Sequence, residues 1–322
     1  LLIDIINLSY IYRERQIMII KTETKNGIKI YTVDKEYDDA KMEKKMNTFV
    51  KPGDIKKIID HDADVFTADG KLLLRFRKKA LNDRHIEAFY ENIKDFAKNV
   101  SSNRGGASGS KKISLGTNPK VMSNIFGYFD KWTASQKVIF KKWGKTPKVS
   151  VRECRFNQDY PEKYKHTIPL IQDVDALYAR LVPENYRLQN KKAKQTHFKI
   201  PGTAFTTVTT NINYQTSIHT DKGDDPEGFG NLAVIERGDY TGGETCLPQY
   251  GVGVDVRNGD ILFMDVHVPH ANLPIHKKQK DAVRLSIVCY LRLRVWQNTA
   301  NKTRRFYESH NKTVKKMKKL PK

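Results

Sequence analysis

The chain has 322 residues, 39% hydrophobic and 10% aromatic, with 58 Lys plus Arg against 36 Asp plus Glu and a formal charge of +22. That is the composition of an ordinary globular protein, long enough for one large domain or two modest ones, and no apolar run approaches the roughly 18–20 residues that cross a bilayer. The charge excess points to a polyanionic partner, nucleic acid first and anionic membrane second, beside the plain reading of a soluble basic surface.

The opening run "LLIDIINLSYIY" is short and carries an aspartate, which reads as a strand or a packed arm. Residues 17–35 read as a hairpin around an Asn-Gly turn, and "DVFTADGKLLLRFRK" repeats the form around Asp69-Gly70. From 83 to 100 the apolar residues Ile86, Phe89, Tyr90, Ile93, Phe96, Ala97 and Val100 fall at helical spacing. The following "SSNRGGASGSKK" is too rich in Gly and Ser for regular structure. It is read as a mobile surface loop, the alternative being a lid near a site.

Residues 121–145 mix aromatics with lysines. Either Phe126, Phe129, Trp132 and Phe140 fill a core while the lysines coat the outside, or rings and lysines together face nucleic acid. A further helix is predicted over 168–181, then an exposed basic loop, "NKKAKQTHFK". From 203 onward the character changes to short strands, "TAFTTVTTNINY", "TSIHTD", "GNLAVIE", "VGVDV", "DILFMDV" and "AVRLSIVCYLRLRV", which suggest an antiparallel sandwich or jelly roll. "KTVKKMKKLPK" reads as a disordered basic tail. The three cysteines, Cys154, Cys246 and Cys289, lie far apart without a C-x-x-C pair. A disulfide framework or structural zinc is not indicated, and a reducing intracellular setting is expected.

The chemistry concentrates in three places. His219 and Asp221 are two apart, so on an extended segment both side chains leave the same face. Downstream, "NGDILFMDVHVPHANLPI" carries His267 and His270, which three-residue spacing sends to opposite sides of a strand. Two histidines and a carboxylate are a common set for ferrous iron in oxygenases, with positions left open for co-substrate and oxygen. The second histidine is expected from a strand across the barrel. Pro269 ends the ladder and leaves His270 at the rim, so His270 is the candidate ligand and His267 a supporting residue. His61, His85, His166, His197, His276 and His310 are read as structural. Arg284 lies on a β-like segment with Ser286 two residues on, and a buried arginine suits the distal carboxylate of 2-oxoglutarate.

On "PGTAFTTVTTN", "HTDKGD", "GFGNLAVIERGDYTGGETCLPQYGVGVDVRNGD", "DVHVPHANLPI" and "DAVRLSIVCYLR", residues 201–292 resemble the TET/JBP family of Fe(II)/2-oxoglutarate-dependent nucleic-acid dioxygenases. The likeness is nearer to base J thymine dioxygenases and their viral or phage relatives. It implies an α+β fold with a double-stranded β-helix (jelly-roll) core and flanking helices. It also implies Fe(II) on His219, Asp221 and His270, with 2-oxoglutarate held by Arg284 and Ser286. The reaction implied is hydroxylation by molecular oxygen of the 5-methyl of thymine or 5-methylcytosine in double-stranded DNA, the target base flipped out. No membrane is implied, and the oligomeric state stays open. Residues 1–150 are then N-terminal strands and supporting helices, 151–296 the catalytic core, and 297–322 a basic tail, all in one globular unit. The compartment would be the nucleus in a eukaryote or the host cytoplasm for a virus or phage.

Three other readings share parts of this pattern. A prolyl or lysyl hydroxylase has the same triad and R-x-S, but does not call for the charge. A silent nucleic-acid-binding barrel would not need all four expected residues. An AlkB-like demethylase calls for a spaced arginine pair that is not apparent around Arg284, although Arg292 and Arg294 are near.

Overall fold

The computed structural model describes residues 19–102, 104–109 and 118–318. The run at 1–12 lies outside them. In chain order the strands are β1 (Ile19–Lys25), β2 (Ile28–Val33), β3 (Lys57–Ile59), β4 (Ala63–Thr67), β5 (Leu72–Arg77), β6 (Met122–Phe129), β7 (Arg152–Glu153) and β8 (Thr207–Ile212). They continue with β9 (Gly230–Arg237), β10 (Tyr240–Gly242), β11 (Thr245–Leu247), β12 (Val252–Val254), β13 (Ile261–Met264), β14 (Ala271–Asn272), β15 (Ile275–Lys277) and β16 (Val283–Tyr290). The helices are α1 (Asp39–Lys45), α2 (Asp83–Ala97), α3 (Ala134–Trp143), α4 (Arg155–Asp159), α5 (Pro161–Leu181), α6 (Pro183–Ala193), α7 (Leu293–Thr299) and α8 (Arg304–Lys318).

Ten strands form one sheet in the order β1-β2-β4-β5-β13-β9-β16-β8-β6-β7. A smaller sheet, β14-β11-β12-β3, forms the opposing layer, and β10 pairs with β15. Strand alternation builds the two cores. On β9, Ala233 and Ile235 face one way with Ile261 and Phe263 of β13 and Leu285 and Ile287 of β16, under Phe89 and Ile93 of α2 and Leu170, Val174 and Tyr178 of α5. Their neighbours Leu232, Val234, Leu262 and Met264 face the other way, against Leu247, Val252 and Val254 of the small sheet. Each large side chain buried in this way contributes roughly 1.5–3 kcal/mol. The result is the expected α+β architecture, a jelly-roll core with helices flanking one face.

The first hairpin and the Asp69-Gly70 turn form as predicted, with β2 and β4 joined in parallel. Since β5 pairs with β13, β1, β2, β4 and β5 extend the large sheet itself, while β3 joins the smaller one beside β12. Four expectations need correction. "TSIHTD" is no strand: His219 makes a single antiparallel bridge, to His270. The first four residues of "NKKAKQTHFK" complete α6, and Phe198 is fully buried. The helix predicted over 168–181 starts at Pro161, with Pro169 inside it. The described part of the supposed tail, to residue 318, is α8, because His310, Val314 and Met317 recur at helical spacing and bury one face.

Among the described residues no helix is long and apolar enough to cross a membrane, and all three cysteines are free and buried.

Candidate active site

Between the sheets lies a cavity of about 180 Å³ whose wall follows from strand alternation. β16 lends it every second residue, Arg284, Ser286, Val288 and Tyr290, while β8 lends Thr209 and Asn211. The hydroxyl of Ser286 accepts from Asn211 Nδ2 at 3.2 Å.

At one end of the cavity the backbones of His219 and His270 exchange both hydrogen bonds, N to O at 3.0 and 2.9 Å. Residues opposed in an antiparallel pair turn their side chains to the same face, and the two rings lie 4.4 Å apart. The distal histidine is therefore the direct cross-strand partner of His219, not a residue from across the barrel. Asp221 is tied by its N–H to Val266 O at 3.0 Å. Its carboxylate reaches His219 Nε2 at 3.8 Å and His270 Nε2 at 3.7 Å. One donor atom from each of the three lies within 4.8 Å of the others, a group able to hold a metal ion.

The ring orientations are set locally. His219 Nδ1 donates to Ser217 O at 2.7 Å and His270 Nδ1 to Val268 O at 3.0 Å. That fixes the tautomer that leaves each Nε2 lone pair aimed into the site. Burial, helped by the neighbouring His270, pushes His219 down to about 4. Burial also disfavours charge on His270 and Asp221, but their hydrogen bond and mutual attraction outweigh it, raising the imidazole and holding the carboxyl well below its usual range. An entering cation thus meets a neutral imidazole at His219 and an ionised carboxylate at Asp221. Two imidazoles and a carboxylate fit Fe(II).

Arg284 is 5% exposed, and its Nη2 is buried without a partner. An unmet buried guanidinium is costly, and an anion in the cavity supplies what it lacks. Gly243 makes room for it: with φ +81°, a Cβ there would sit 2.8 Å from Arg284 Nε. The carboxylate of 2-oxoglutarate fits this donor. His267 stands apart: its Nδ1 bonds Asp265 at 3.0 Å, and it does not line the cavity.

Several wall residues escaped sequence reasoning. Arg104 and Ala107 belong to the Gly/Ser-rich segment, so its described part, 104–109, is at the site and not a remote surface loop. It is held there by Ser217 N to Ala107 O at 2.9 Å and by the hydroxyls of Ser108 and Tyr214 at 2.9 Å. Phe129, left open between a core and a nucleic-acid face, lines the cavity, with the Arg292 guanidinium 4.9 Å from its ring centroid. Arg292 is fixed by Asp130 at 2.8 Å. Asp224 is buried in the wall, where desolvation and nearby Asp221 push its carboxyl well up. Extending the period of two from Arg284 and Ser286 finds Val288 and Tyr290. Arg104 carries no comparable signal.

Residues 137–293 match the family model Tet_JBP, described as the oxygenase domain of the 2OGFeDO superfamily. This segment, just under half of the chain, is similar to a Tet_JBP oxygenase domain. Thymine dioxygenase JBP1 of Trypanosoma brucei brucei is 31% identical over 173 residues, 53% of this chain and 19% of that protein. The bifunctional helicase and thymine dioxygenase JBP2 of Leishmania tarentolae is 33% identical over 154 residues, 48% of this chain and 14% of that protein. The chain thus spans a fifth or less of the length of these relatives. The solved structure of NgTET1 in complex with 5mC DNA shares the fold, with a TM-score of 0.51 at 13% identity, covering 79% of this chain and 86% of that one. His219, Asp221, His270, Arg284 and Ser286 all fall inside the Tet_JBP segment, whose superfamily uses Fe(II) and 2-oxoglutarate. The strands β1–β5 and helix α8 fall outside it.

Proposed function

We propose that this chain is an Fe(II)/2-oxoglutarate-dependent dioxygenase that hydroxylates the 5-methyl group of thymine or 5-methylcytosine in DNA. The observation that carries the reading is the convergence of His219, Asp221 and His270 in the same cavity as the unpartnered guanidinium of Arg284. His219, Asp221 and His270 would hold the iron, and Arg284, with the Ser286 hydroxyl, the distal carboxylate of 2-oxoglutarate. When bound, these two groups supply the oxidising chemistry with molecular oxygen.

The protein's own share is orientation. The backbone carbonyls of Ser217 and Val268 hold both imidazoles in register, and the sheet holds Arg284 and Ser286 on one face. The site lies in a recess between sheets, so a methyl group in stacked duplex cannot reach it. The base must leave the stack, at a cost of a few kcal/mol, which the positive surface offsets by gripping phosphates.

The test incubates the protein with Fe(II), 2-oxoglutarate and ascorbate on duplexes containing thymine and 5-methylcytosine, then reads nucleosides by mass spectrometry. A product heavier by one oxygen is expected on at least one base, lost in Asp221→Ala, while duplex binding persists in that variant. Succinate formation with prolyl or lysyl peptides, and none with DNA, would replace this reading with that of a protein hydroxylase.

A further inference from the structure

Two lysine-rich stretches, more than 150 residues apart in sequence, are brought together by the fold. Residues 131–148 contain six lysines and no acidic residue; residues 302–316 contain six Lys or Arg and a single acid, Glu308. Helices α3 and α8 pack on each other. Trp132 meets Phe140 edge-on at 4.9 Å and lies 6.4 Å from His310, whose Nε2 donates to Val151 O at 2.7 Å. Tyr307 reaches the hydroxyl of Tyr128 at 2.6 Å. Phe140 of α3 and Val314 and Met317 of α8 are buried. The cations lie on the outer side: Lys137, Lys141 and Lys142 on α3, and Lys312, Lys315 and Lys316 on α8, are all exposed, Lys315 also pairing with Glu153 at 3.5 Å.

We propose that the joined face of α3 and α8 is the platform that grips the phosphate backbone of duplex DNA beside the base entering the cavity. The inference rests on the reading of DNA as substrate and names the surface that holds it. Position argues for it. Phe129 lines the cavity, Asp130 fixes Arg292 of the cavity wall, and the basic stretch begins at the next residue, Lys131. A base delivered to the cavity therefore brings its flanking phosphates to this side. Length fits as well: fifteen residues of α8 extend about 22 Å, the axial rise of roughly six phosphates of one strand. A lipid surface fits less well, because interfacial helices bury an apolar face in the bilayer and here those faces are turned into the protein.

Three charge-reversed variants of the whole chain test it, each compared with wild type by fluorescence anisotropy on a labelled duplex of two helical turns, without iron. One carries Lys137→Glu, Lys141→Glu and Lys142→Glu; a second carries Lys312→Glu, Lys315→Glu and Lys316→Glu. The control carries Lys21→Glu, Lys25→Glu and Lys29→Glu at the opposite edge of the large sheet. The first two should bind about tenfold or more weakly, with the slope of log K against log salt shallower by about 0.9 for each phosphate no longer neutralised. The control should change by less than about twofold. Circular dichroism and melting establish folding, and Lys→Gln versions of the same sets give the same ranking if the effect is local.

Equal weakening in all three variants would reduce the effect to net charge and overturn the proposal. So would unchanged binding in the first two, or wild-type binding to phosphatidylserine vesicles but not to duplex. The activity reading stands or falls separately. A wild type that oxidises DNA while the α3 and α8 variants bind normally sinks only the platform. A wild type that binds duplex through this face but oxidises no base sinks only the activity.

Discussion

Both proposed histidine ligands are oriented by a neighbour close in sequence. His219 and His270 each donate from Nδ1 to the carbonyl two residues back, so the ring geometry is set before any ion arrives. Arg284 is different: its backbone is locked by Asn213, with N to Oδ1 at 2.7 Å, but its Nη2 has no protein partner. That asymmetry gives a prediction. Arg284→Lys should keep iron binding but lose one arm of a two-point grip that an ammonium cannot reproduce, at a cost of about 1.5–3 kcal/mol. The half-saturating concentration of 2-oxoglutarate should rise roughly tenfold to hundredfold, read from succinate release at saturating Fe(II). An unchanged half-saturation point, with only a lower melting temperature, would make Arg284 a structural residue.

At the scale of elements, the site depends on where β13 ends. Asp265 closes that strand: its N–H donates to Leu73 O at 2.9 Å. Its carboxylate accepts from His267 N and Nδ1, both at 3.0 Å, and from Lys71 Nζ at 2.6 Å. Burial works against the charge, but His267 and Lys71 outweigh it and bring the carboxyl down to about 2. An unfolded aspartate titrates near 3.9, so the folded state holds this proton less tightly. The stabilisation is therefore complete above about pH 4 and disappears as pH falls through about 2, with a size of about 2 kcal/mol. Asp265→Asn should lower urea stability by that amount at pH 7, and the gap to wild type should narrow below pH 3. A gap that stays constant down to pH 2 would mean that the ion pair contributes nothing and that the substitution acts through packing alone.

At the scale of the whole molecule, the three segments expected from the sequence share their cores. β5 supplies the neighbour of β13 in the large sheet, and α8 covers Tyr128 and Phe198 from the other end of the chain. We propose that these segments unfold as one unit. Calorimetry should give one transition whose calorimetric and van't Hoff enthalpies agree. A separate early transition that removes the N-terminal strands would show instead that β1–β5 are an independent module.

The sequence alone determined what is local and periodic. The hairpins at Asn26-Gly27 and Asp69-Gly70, the helix at 83 and the strands from 207 onward follow from turn chemistry and spacing. His219 with Asp221, and Arg284 with Ser286, could be picked out because a period of two puts each pair on one face. Proximity between distant segments could not be read that way. That His270 is the hydrogen-bonded neighbour of His219, that Arg104 reaches the cavity from a Gly-rich segment, and that a lysine-rich end is an ordered helix on α3 are all decided by long-range packing. The reason is physical: turn and strand preferences act within a few residues, whereas these pairings form only when burying apolar surface brings remote elements together.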